Sequence, residues 1–155
     1  MTSTIAQHQT RGISGKANDK TMRRRGRSTL AVAASFIAVV VLSLGTDEIL
    51  HFLQVHPAWG EPMREPSLNF LALAYRCLFT VAGMYLTATL APSAPMRHAL
   101  VGGAIGTVVA AAAGVVAAVP LDLGPAWYPV SLAVTALPLA WLGGVLHRAR
   151  NAQAR

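Results

Sequence analysis

Two carboxylates and an imidazole, Asp47, Glu48 and His51, lie in the run Gly45-Thr46-Asp47-Glu48-Ile49-Leu50-His51, and a single arginine, Arg76, lies inside the next apolar stretch. On a helix, Ser43, Asp47 and His51 follow one line at i, i+4 and i+8, whereas Glu48 lies ~100° round from Asp47. A guanidinium placed among lipid tails costs ~2.5–3.5 kcal/mol unless it snorkels or pairs. With the first span read as running to Val55, Asp47 lies about two turns before its outer end; Arg76 lies about two turns into the second span. Consecutive spans tend to be neighbours. The heights therefore predict an Asp47–Arg76 ion pair, with His51 one turn outward and Tyr75, Glu48 and Asn69 nearby.

Such a cluster supports three chemistries. A charge pair can fix the register of two helices without reacting. A carboxylate beside a histidine within the membrane can hold a proton or a polar ligand. Asp47 and His51, at i and i+4, could also contribute two metal ligands, joined by Glu48 or His56, but a complete set needs donors from elsewhere. No pattern identifies a reaction: the sequence contains no phosphate-binding glycine loop, no HExxH and no CxxC. Cys77 is the only cysteine. It points ~100° away from Arg76 and reads as a small packing residue. Neither a catalytic residue nor a cofactor is assigned.

The elements that must position these groups are apolar. Of 155 residues, 54% are hydrophobic and only 12% charged, with a mean hydropathy of +0.47. Soluble domains carry about a quarter charged residues, so the composition points to lipid. The net charge of +7 is gathered in the tails, where membrane orientation accounts for it without nucleic acid.

Residues 1–28 are polar, lack apolar periodicity and are expected to be disordered. They close on a basic knot, Arg23, Arg24, Arg25 and Arg27, suited to anionic lipid headgroups; Met22 offers an alternative start. Four spans are predicted at about 29–53, 68–90, 98–119 and 127–146, within a membrane domain of residues 29–148 followed by a basic tail at 149–155. The first apolar run is long for a signal peptide, and no convincing small-x-small cleavage site precedes a polar mature start, so a retained helix is expected. The loop of residues 56–67 holds Pro57, Pro62 and Pro66, with Trp59 as a headgroup-level anchor. In the second span Asn69, Arg76, Thr80, Gly83 and Thr87 share one face, which should turn towards other helices. The third span carries Gly103, Gly106, Ala110, Gly114 and Ala117 at helical spacing and is expected to be the packing spine; its GxxxG-like Gly102–Gly106 also suits a homo-oligomer. Trp127 and Tyr128 open the fourth span as belt aromatics. Pro138 frees the carbonyl of Val134, which Ser131 and Thr135 are placed to satisfy.

Lysine and arginine number seven in the N-terminal tail, one at Arg97 and three at the C-terminal end (Arg148, Arg150 and Arg155), against Arg64 alone in the other two loops. This asymmetry predicts both termini inside. The bias towards Ala, Gly and Arg suggests a bacterium.

The segments GTDEILH, PAWGEPM, LAYR, PMRHAL and WLGG, spread over residues 30–148, resemble small four-span bacterial inner-membrane proteins with no assigned activity. The chain lacks the early mid-span glutamate of small multidrug transporters and the paired cysteines of quinone-linked disulfide enzymes. The resemblance carries no catalytic residues across. The spans and the polar cluster lead to the expectation of an all-α four-helix membrane bundle that works as a non-enzymatic accessory or ligand-binding module, with a membrane-protein partner or a second copy as candidate partners. The competing expectation is a minimal proton- or ion-coupled transporter or channel subunit using Asp47 and His51.

Overall fold

The computed structural model describes the backbone of residues 2–114, 121 and 124–154, and the side chains of residues 22, 26–114, 121 and 124–154. The side chains of Arg23, Arg24 and Arg25, the end of the third predicted span at 115–119, and residues 120, 122 and 123 of the turn that follows lie outside the described residues.

The described chain is all α: α1 (Thr2–Phe52), α2 (Pro66–Leu90), α3 (Pro95–Ala113) and α4 (Trp127–Gln153). Each contains a segment long and apolar enough to cross a membrane, the first being Gly26–Phe52. α1 begins at Thr2 and takes in the polar stretch ahead of the first membrane segment. No proline interrupts residues 1–52, and a nucleated span propagates one residue at a time without the nucleation cost of an isolated segment. α4 continues to Gln153, carrying Arg150 on helix within the expected tail.

Proline punctuates the other boundaries. Pro66 and Pro95 occupy the first turns of α2 and α3, where the missing amide would have had no helical partner. Inside α4, the Thr135 hydroxyl donates to the carbonyls of Ser131 at 2.6 Å and Leu132 at 3.4 Å. It does not turn to Val134, because a threonine hydroxyl on a helix reaches back three or four residues.

The core is built from small residues. Met84, Ala99 and Ala140 form the central buried cluster. A Cβ added at Gly103 would stand 2.4 Å from the Ala140 Cβ, and one at Gly102 would stand 2.8 Å from the Met84 sulfur. α4 contributes Gly143 and Gly144 to the same packing, against Val81 and Met84 of α2 and Met96 of α3. The expected spine is therefore shared between α3 and α4. Among the described residues α2 and α3 each touch all three other helices, whereas α1 packs mainly on α2, touches α3 sparsely and does not reach α4. Large aliphatic side chains cover the outside, with Val41, Leu78, Val108 and Val134 each 62–70% exposed. Helices carrying that much outward-facing hydrocarbon match a lipid surround.

The four helices alternate in direction. One end of the bundle carries the α1–α2 loop, residues 53–65 (the loop end). The other carries the start of α1's membrane segment, the α2–α3 turn and the end of α4 (the terminal end).

Candidate functional site: a charge layer beneath a histidine-lined pocket

α1 brings Asp47 to the loop end of the bundle, where it is 6% exposed. α2 presents Tyr75 and Arg76 opposite, and α4 supplies Tyr128. The guanidinium Nη2 donates to Asp47 Oδ2 at 2.6 Å. The Tyr75 hydroxyl donates to the other carboxylate oxygen, Oδ1, and Arg76 Nη1 donates to the Tyr128 hydroxyl oxygen. Both oxygens of Asp47 are thus engaged, and one layer of polar contacts joins three helices. The guanidinium carbon also lies 5.9 Å from the Tyr75 ring centre and 5.7 Å from that of Tyr128, within the range of cation–π attraction.

Above this layer the end of α1 reverses sharply. Gln54 adopts φ 56°, the left-handed geometry usually given to glycine at a helix end, and the amides of Val55 and His56 return to the Leu50 carbonyl at 2.9 and 3.1 Å. That reversal turns His56 inward, where it is 6% exposed. His51, in the last turn of α1, places Nδ1 2.7 Å from the Asp47 backbone carbonyl. A carbonyl only accepts, so Nδ1 carries the proton and the neutral ring keeps its lone pair on Nε2. The ring stacks on Trp59 with centres 4.4 Å apart and planes 2° apart. His56 meets His51 edge to face at 5.3 Å and 88°.

These groups surround a pocket of about 260 Å³ whose lining includes Asp47, His51, His56, Trp59, Arg76 and Tyr128. His56 Nε2 has no hydrogen-bond partner and is the one buried side-chain nitrogen or oxygen so placed among the described residues. Leaving such an atom unsatisfied costs about 1–3 kcal/mol. A second, largely apolar cavity of about 290 Å³ lies deeper in the bundle, with Arg76 the one residue common to both linings.

Of the six residues expected to cluster, the structure brings together Asp47, Tyr75 and Arg76, with His51 directly above. Glu48 is exposed, as its place on the helical wheel requires. Asn69 is buried but serves the loop: its Nδ2 donates to the carbonyls of Met63 at 2.8 Å and Glu65 at 3.0 Å, tying the proline-rich segment to the start of α2. No group of three or more His, Cys, Asp or Glu assembles among the described residues, so Asp47 and His51 gain no third metal ligand there. Cys77 is half-buried and free.

Tyr128 and His56 were not expected in the cluster. Tyr128 was read only as a belt aromatic and His56 only as an auxiliary ligand. The one signal in the sequence was a phenol at the start of a span, an apolar ring with a hydroxyl that needs a partner.

Burial pushes the His56 pKa below its ordinary value of 6.5; the Asp47 carboxylate acts in the opposite sense, while His51 and Arg76 reinforce the lowering. A histidine with a depressed native pKa binds fewer protons than the unfolded chain as pH falls below about 6.5. Its contribution to stability is therefore complete above that pH, declines as the unfolded form protonates, and stops changing below the native pKa. Acid unfolding followed by circular dichroism in detergent should show this loss between pH 7 and 5. In His56→Phe that part of the slope should vanish; an unchanged slope would assign it to other groups.

No family model, curated protein or solved structure matches this chain.

Proposed function

We propose that the protein is a non-enzymatic, multi-pass module of a bacterial inner membrane that binds a small, uncharged polar molecule in the pocket at its loop end, with both termini in the cytoplasm. The observation that carries this reading is His56 Nε2, a buried and unpartnered nitrogen in the wall of a pocket. The large majority of buried side-chain polar atoms in native interiors have a partner, so an open one in a pocket wall fits a hydrogen-bonding guest. The guest is uncharged because the floor is already neutralised: Asp47 and Arg76 answer each other. The volume, near the lower limit for small-molecule sites, suits a compact ligand. Tyr128 accepts from Arg76 through its oxygen and still has its own hydroxyl proton to give. His51 Nε2 supplies an acceptor. The arginine distribution supports the orientation, which puts the pocket on the periplasmic side.

Trp59 reports directly on the pocket. In a Trp127→Phe, Trp141→Phe background, a panel of small neutral alcohols, amides and phenols should include members that quench Trp59 saturably, and His56→Phe or Ala58→Phe should abolish the effect. A panel without any saturable response would remove the binding reading. The competing transporter reading needs Asp47 and His51 to exchange a proton. Both Asp47 oxygens are instead held by Tyr75 and Arg76, and the His51 donor is held by a backbone carbonyl. Dissipation of a pH gradient in proteoliposomes that disappears in Asp47→Asn would restore transport.

A further inference from the structure

At the terminal end of the bundle, far from the histidine pocket, two grooves flank the first turns of α3. One, of about 670 Å³, runs between α3 and α4 and is lined by Arg97 and Arg148 together with Pro95, Leu100, Val101 and Ala104. The other, of about 860 Å³, runs between α3 and α1, with Arg97, Ser93 and His98 near the helix start and Val32, Phe36 and Ile105 deeper. Ala94, Arg97 and Val101 belong to both. Each groove therefore has a polar mouth and an apolar continuation one to two helical turns into the membrane. Among the described residues no carboxylate lines either one. The two arginines are exposed, Arg97 at the mouth of both grooves and Arg148 at that of the first, so a positive patch stands above two hydrocarbon channels.

We propose that this end of α3 is a binding site for one two-chain anionic phospholipid. Its phosphate lies on Arg97 and Arg148, and its acyl chains straddle α3, one in each groove. Charge complementarity selects the headgroup: guanidinium binds phosphate through paired N–H donors, and a basic pocket between membrane helices is a recurrent way of holding an acidic lipid. The division of the apolar surface into two channels that share one wall selects a lipid with two chains. The site is independent of the histidine pocket and uses different residues from the basic knot at Arg23, Arg24 and Arg25.

The test is thermal unfolding of the full chain in neutral detergent with four additives. Phosphatidylglycerol should raise the midpoint saturably, phosphatidylcholine should not, and soluble glycerol phosphate should have no effect. Lysophosphatidylglycerol, with one chain, should need roughly tenfold more or beyond, since each buried methylene contributes to affinity. The shift should be lost in Arg97→Gln/Arg148→Gln and kept in Arg23→Gln/Arg24→Gln/Arg25→Gln. Ala104→Phe fills the α3–α4 groove from an exposed position, spares the core, and should also lose it if the groove holds a chain. A shift that survives both the arginine pair and Ala104→Phe would overturn the site. An equal response to phosphatidylcholine would overturn the charge selection, equal potency of the single-chain lipid would overturn the straddling arrangement, and an equal response to glycerol phosphate would make the ligand a free anion.

Discussion

Asp47→Leu is expected to destabilise the bundle by about 3–5 kcal/mol, the cost of leaving one member of a buried ion pair without its partner. The remaining guanidinium keeps only the Tyr128 oxygen as acceptor and cannot shed its proton. Arg76→Leu is expected to cost less, because the carboxylate left behind keeps the Tyr75 hydrogen bond and can take up a proton. The double variant should be more stable than the sum of the singles predicts, since two leucines leave no charge in the hydrocarbon and such replacements are often close to neutral. Reversible unfolding of all three variants in one detergent measures the cycle. Additive losses would mean that the 2.6 Å contact contributes no coupling, and the layer would lose its role as the joint between α1, α2 and α4. Tyr128→Phe removes the acceptor on α4 alone and should loosen only that side.

Gly143→Ala is expected to cost about 1–3 kcal/mol, the usual penalty for overpacking, and Gly143→Val to prevent assembly of α4 against α2. The added Cβ would stand 2.7 Å from the Val81 carbonyl oxygen, 2.9 Å from the Met84 Cβ and 2.9 Å from the Tyr85 amide nitrogen. Two of these are backbone atoms of a helix, which cannot swing aside as a side-chain tip does. Gly45→Ala is the counter-example. A Cβ there meets nothing within 4 Å, and removing a mid-helix glycine should gain about 0.5–1 kcal/mol. Thermal midpoints of the two alanine variants should therefore move in opposite directions. If both fell, close helix contact would not be the reason for the glycine at 143.

Of the candidate site, the sequence revealed the part that follows from one helix at a time. Helical period and rise place Asp47 and Arg76 at matching heights, put Glu48 on another face and line up His51 above Asp47. The cost of an unpaired guanidinium in lipid supplies a reason for the pair. Apolar runs and prolines likewise mark the four spans, though not their ends: α1 extends back through the polar stretch and α4 forward through the basic one. Periodicity stops reporting where no apolar face is required, while a helix already formed keeps growing.

What belongs to more than one element was legible only in the tertiary structure. Tyr128 reaches Arg76 because α4 packs on α2, and nothing local to α4 records which neighbour it has. The inward turn of His56 depends on Gln54 adopting a left-handed conformation that its residue type does not announce. Asn69 shares a helical face with Arg76 yet serves the loop, because two carbonyls of the proline-rich segment lie closer to it than the ion pair does. Hydrophobicity and helical geometry act along the chain and are written in it. The choice of contacts between helices is made by small residues that permit several close approaches, and only the assembled packing selects among them.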